Sequence, residues 1–170
     1  MDSLIIVFRL LHIVAAALWV GTAVFVQFIL VPAIEEAGPG AAMVMPVLAR
    51  RGLMTFLPLL ALTTTLSGLG LFWKVGGGEF GHFMGTPTGI SLSVGATAAL
   101  LAFLEGITVV RPRMMRAGAI LESLASLPAE ERAEQLAIAT KLRRTGASAG
   151  RRGDVLLLLA TAAMAVARYL

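Results

Sequence analysis

The chain has 170 residues, of which 58 % are hydrophobic and only 14 % charged, and its mean hydropathy is +0.87. Soluble domains carry about 25 % charged residues, so this composition disfavours a water-soluble fold, and it is the reverse of the polar signature of disorder. Cysteine is absent and the net charge is +4, which removes disulfides, thiolate metal sites and thiol nucleophiles and leaves a basic balance whose position decides its meaning.

A membrane-crossing helix needs about 20 mostly apolar residues. The first candidate span, 4–30, is interrupted by Arg9, His12 and Gln27 and is expected to stop at Pro32. Its start, Met1-Asp2-Ser3, lacks the basic segment of a signal peptide, and its apolar run is longer than a signal core, so a retained helix is expected. The second span, 53–73, carries Thr63, Thr64, Thr65 and Ser67. Gly76-Gly77-Gly78 follows it without the Lys-Ser/Thr of a phosphate loop and reads as a turn. The third span, 89–110, has Glu105 near its end and Pro112 just beyond.

Between the third and fourth spans lies a polar stretch, 111–154, with its own helical signals. Residues 113–127 extend the third helix, and Leu127-Pro128 breaks it because proline disfavours helix at the residue before it. Pro128 with Glu130 and Glu131 suits a new helix start. Lys141, Arg143 and Arg144 suit its end, with Gly146 as the stop and 146–153 as a flexible hinge. The fourth span, 155–170, is the shortest, with Arg168 and Tyr169 suited to the far interface.

Nine of the 14 Lys and Arg lie in 111–152, Arg50 and Arg51 lie between spans one and two, and only Lys74 lies between two and three. Positive charge marks the cytoplasmic side, so both termini are expected outside and no nucleic-acid partner is implied. The expected fold is all-α: one integral membrane domain over 1–170, a four-transmembrane-helix bundle with a cytoplasmic helical hairpin between helices three and four.

Ionisable groups inside a span cost roughly 2.5–3.5 kcal/mol on insertion scales, so each needs a reason. Arg9 and His12 are three apart and share a face that continues through Ala16, Trp19, Ala23 and Gln27. That stripe of polar, small and aromatic residues suits a helix facing the bundle interior. At ~1.5 Å of rise per residue, His12 lies at the level of the Thr63–Ser67 cluster in the outer half. Gln27 and Glu105 both fall near the cytoplasmic boundary, where they are expected to pair or to relay a proton. His12 reads either as a packing imidazole bonded to Thr64 or Ser67, or as a ligand for copper or haem iron. His82 and Met84 form a His-x-Met pair, a soft copper site or a chance neighbour relation in a chain with eight methionines. Arg9 suits either snorkelling or an anionic ligand group. No Ser-His-Asp order, H-E-x-x-H or paired intramembrane carboxylates appear, so hydrolytic chemistry has no residues to use.

The stretch from Arg9-Leu10-Leu11-His12 to Trp19-Val20-Gly21 resembles the first core helix of the copper-resistance protein D (CopD-like) family of bacterial membrane proteins. Leu66-Ser67-Gly68-Leu69-Gly70-Leu71 resembles that family's Thr-Gly-leucine segment, with Ser67 in place of the usual threonine. Arg111-Pro112, the run Leu127-Pro128-Ala129-Glu130-Glu131-Arg132 and Ala167-Arg168-Tyr169 resemble features of short, uncharacterised four-helix relatives. The resemblance implies a bacterial inner-membrane bundle that binds copper or haem b in its outer half, with His12 as the functional position and Arg9, Trp19 and Ser67 around it. Haem-binding protoporphyrinogen oxidases also place a histidine on the first helix. Their Tyr-Leu-Pro-Arg motif is absent here, where Val31-Pro32-Ala33 stands. Three readings stay open: a CopD-like ligand-binding protein, a non-catalytic subunit or scaffold of a homo-oligomer or larger membrane complex, and a haem b oxidoreductase.

Overall fold

A computed structural model describes residues 3–41 and 44–170. Met1 and Asp2, which bear on the signal-peptide question, lie outside the described residues. The described chain is helical with no strand. In order it forms α1 (Ser3–Phe25), a π segment (Val26–Leu30), α2 (Val31–Ala37), a 3-10 turn (Gly38–Ala41), α3 (Val44–Arg50), α4 (Leu53–Val75) and α5 (Phe80–Gly85). Then come α6 (Pro87–Glu105), a second π segment (Gly106–Val110), α7 (Arg111–Ser123), a 3-10 turn (Leu124–Ser126), α8 (Ala129–Val166) and a last 3-10 turn (Ala167–Tyr169). Three helical stretches, Ser3–Ala37, Leu53–Val75 and Pro87–Ser126, are long and apolar enough to cross a membrane.

The helices form two antiparallel pairs. On one side α1 runs against α4, with Phe8 against Gly70 and His12 against Gly68. On the other, α6 and α7 run against α8, with Ser91 Oγ donating to Ala163 O at one end and Gly146 against Met114 at the other. The pairs meet in a core of Ala15, Trp19, Leu60, Ala61, Ala102 and Leu157, one or two residues from each long helix. Trp19 and Phe103 meet edge to face across it, with ring centroids 6.4 Å apart.

Alanine dominates the buried apolar residues, whereas large ones such as Leu10, Ile13, Leu59, Leu66 and Val94 are turned outward. Small residues let backbones approach, and where the surroundings are lipid, large apolar side chains gain nothing by turning inward. On α8 and the turn that closes it, the small residues Ala139, Gly146, Gly153, Ala160 and Ala167 recur every seven positions, the period of a left-handed coiled-coil seam.

The expected stop at Pro32 is not found. Helix continues through it, and again through Pro112, and each proline stands two residues after the end of a π segment. Proline removes one backbone donor and crowds the carbonyl four residues earlier. Inserting a residue into the preceding turn widens it and accommodates the ring without breaking the rod.

The expected stop at Gly146 and the hinge at 146–153 are also overturned, because α8 is continuous from Ala129 to Val166. Gly146 and Gly150 serve close packing instead. A Cβ on Gly146 would lie 2.9 Å from Met114 Cε, and one on Gly150 would lie 2.9 Å from Gln27 Oε1. The break at Leu127-Pro128 is found as expected, with Pro128 at the N-cap of α8.

At the opposite end, Gly77 and Gly78 take positive φ in the expected turn. Phe72, Trp73, Phe80 and Phe83 gather beside it. The third helix starts at Pro87, two residues before the expected start, because the Thr86 hydroxyl caps it by accepting from Gly89 N.

Candidate functional site

Two places hold polar groups inside the helix cluster. The first is His12. Its Nδ1 lies 2.8 Å from the carbonyl oxygen of Thr64. A carbonyl only accepts, so Nδ1 carries a proton and donates. The ring packs close against α4, where a Cβ on Gly68 would approach its Cε1 to 2.7 Å. Glycine at 68 is therefore what admits the imidazole.

Around it, Ser67 is buried but donates to Thr63 O of its own helix at 2.6 Å. The buried Thr64 hydroxyl has no hydrogen-bond partner among the described residues. Arg9 is exposed on the outward side of α1. Trp19, two turns along, belongs to the central core rather than to the surroundings of His12. His12 and Ser67 thus lie at one level of the α1/α4 seam, with Arg9 exposed and Trp19 in the central core.

His82 and Met84 lie exposed on α5. Residues two apart on a helix point to opposite sides, so α5 does not by itself bring the imidazole and the thioether together. Among the described residues no three His, Asp or Glu side chains gather to hold a metal ion.

Glu105 and Gln27 are not a pair. Glu105 forms an ion pair with Arg152 of α8, while Gln27 Oε1 lies over Gly150. Glutamate and arginine face each other across the α6/α8 seam, and the charged donor outcompetes an amide for the carboxylate.

The second place is a cavity of about 140 Å³ where the two helix pairs meet, between the core layer and the ends of the helices that bear the π segments. Trp19, Ala61 and Phe103 form its apolar end, and Gly106 and Val110 of the second π segment form one wall. Asp154 of α8 lines it and is 5 % exposed, with no hydrogen bond or ion pair among the described residues. By the sequence pattern alone, Asp154 is the last residue of the polar stretch 111–154. A helix carried through 146–153 puts it instead on the inner face, three residues before buried Leu157. The seven-residue recurrence of small residues on both sides of it was the available signal.

Arg111 stands at the opposite end of the cavity, where its Nε donates to Met54 O at 3.3 Å. That carbonyl is open because residue 58, whose N–H would bond it in an unbroken helix, is proline. Pro58 on α4 thus creates the acceptor by which Arg111 ties α7 to α4 over the cavity.

No protein-family model, curated protein or solved structure matches this chain.

Proposed function

We propose that the chain is a bacterial inner-membrane protein with four spans and both termini outside, and that it acts as a non-catalytic binding bundle. Its fourth span would be the apolar end of α8 together with the closing turn that carries Arg168 and Tyr169. The inside-out distribution of alanine and leucine supports immersion in lipid, and the aromatic cluster beside Gly77 suits one interface. An α8 of 38 residues measures ~57 Å at ~1.5 Å per residue, well beyond ~30 Å of hydrocarbon. Its first half, paired with α7 and bearing most of the Arg and Lys, therefore stands in the cytoplasm as a helical hairpin.

The observation that carries the binding role is the cavity holding an unpartnered carboxyl at the junction of four helices. An acidic residue inside a membrane bundle is costly and characteristically faces a cavity or an ion pathway. The cavity lies toward the cytoplasmic side, opposite to the half expected from the sequence. Filling it should abolish binding of any ligand it takes. In Gly153→Leu, whose new Cβ meets nothing within 4 Å, uptake of xenon by the purified protein should be lost; equal uptake in both proteins would refute the reading.

A second reading rests on His12. An imidazole that donates from Nδ1 to a carbonyl presents Nε2 in the form that ligates metals. This, with the CopD-like resemblance, supports copper or haem b iron held between His12 and ligands from a second copy or another membrane subunit. A Soret band, or stoichiometric copper, that disappears in His12→Leu supports it. A featureless, copper-free protein leaves His12 as a helix-packing residue.

A further inference from the structure

We propose that the cavity around Asp154 is a site for a small organic ammonium ion, held by the Asp154 carboxylate and by the aromatic rings of Trp19 and Phe103. The proposal rests on the binding role proposed above and names its ligand class. Size, lining and charge each constrain the occupant. At about 140 Å³, the space is close to the ~150 Å³ engineered cavities that accept benzene, so it takes a compact molecule of a few heavy atoms.

The lining excludes a bare inorganic cation. Calcium requires 6–8 oxygen ligands and magnesium an octahedral shell, whereas Asp154 is the one carboxylate in a lining otherwise made of apolar side chains, glycines and Arg111. An inorganic ion would exchange its water shell for hydrocarbon. An alkylammonium ion matches both parts of the wall, because its charge is spread over carbon that packs against apolar side chains. It also gains from aromatic faces and from a carboxylate in a water-poor site. A hydrocarbon, or an anion without a donor, would leave the carboxylate without a partner.

The rest of the site agrees. Trp19 is 7 % exposed and makes no hydrogen bond among the described residues, so its ring is free to serve as an apolar and electrostatic surface. Arg111 also lines the cavity and keeps its positive charge, but it is exposed at the rim, where its Nε donates to the Met54 carbonyl and water screens the guanidinium, whereas Asp154 is buried. The nearby acid, Glu105, is occupied by Arg152. Asp154 is thus the one acidic group among the cavity-lining residues.

The test uses the full chain in maltoside micelles with Trp73→Phe, so that Trp19 is the sole indole. Its fluorescence is followed during titration with tetramethylammonium chloride and, separately, with the neutral isostere neopentane. The expected result is a saturable change with the ammonium ion, weakened about tenfold or more in Asp154→Asn and absent in Gly153→Leu. Neopentane should bind at least about tenfold more weakly than the ammonium ion. Circular dichroism checks that both variants keep the helical fold. If neopentane and tetramethylammonium bind alike, and Asp154→Asn changes neither, the cavity is a binding site but the ammonium assignment is wrong. If neither probe gives a saturable response, while xenon uptake still distinguishes Gly153→Leu, the assignment is again overturned and the binding role survives. If xenon also fails, both fall.

Discussion

At the scale of single residues, glycines and prolines decide more than the charged groups do. Gly89 follows the turn that starts α6, and a Cβ there would lie 1.8 Å from the carbonyl oxygen of Phe83. Backbone cannot yield as a flexible side chain can, so Gly89→Ala should destabilise the protein by about 3 kcal/mol, measured by thermal unfolding in micelles. An unchanged melting temperature would show that the turn relaxes freely.

Pro58 and Arg111 form a second unit. If the guanidinium is held by the carbonyl that proline leaves open, the two positions are coupled. In a double-mutant cycle of Pro58→Ala and Arg111→Ala the interaction energy should be on the order of 1 kcal/mol. Additive effects would mean that Arg111 gains nothing from Pro58. By contrast Arg152, whose side chain is largely exposed, pairs with Glu105 in a setting where ion pairs contribute roughly 0–1 kcal/mol. Arg152→Gln should therefore leave stability almost unchanged in the same measurement.

At the scale of elements, α8 separates what local signals reveal from what packing imposes. Pro128, Glu130 and Glu131 correctly marked its start, because a proline fixes its own φ and removes a donor whatever surrounds it. Gly146, Gly150 and Gly153 were misread as a stop and hinge. Glycine costs a helix about 1 kcal/mol relative to alanine, and only the partner helix shows why that cost is accepted at 146 and 150. Pro32 was misread for the same reason, since the preceding π turn has no simple sequence signature. His12 was found because a histidine in an apolar run is conspicuous. Asp154 was missed because it sits at the edge of a charged segment, where one more acid is unremarkable.

The continuity of α8 has a direct test. Spin labels at the exposed positions Leu136 and Leu158 should be separated by ~33 Å, from 22 residues at ~1.5 Å each, with a narrow distribution. A broad or shorter distribution would restore the hinge.

At the scale of the whole molecule, two antiparallel helix pairs enclose a core so poor in large side chains that shape, rather than apolar burial, holds it together. Hydrophobic transfer contributes little between helices in lipid, and van der Waals fit across small residues takes its place. In the proposed topology, orientation is set separately, by charge. Replacing Arg143, Arg144, Arg151 and Arg152 with glutamine removes four of the nine basic residues of 111–152 and should give a mixed population when reporters are fused to both termini. Reporters that still read wholly outside would show that Arg50, Arg51 and the remaining basic residues suffice.

One feature of α8 reaches further than its packing. A rod with no joint between Ala129 and Val166 makes its polar tip and the enclosed Asp154 parts of a single lever. Whatever grips that tip and twists it by a few degrees rotates the carboxyl by the same angle against Trp19 and Phe103, so an event tens of ångströms away would be felt directly at the heart of the bundle.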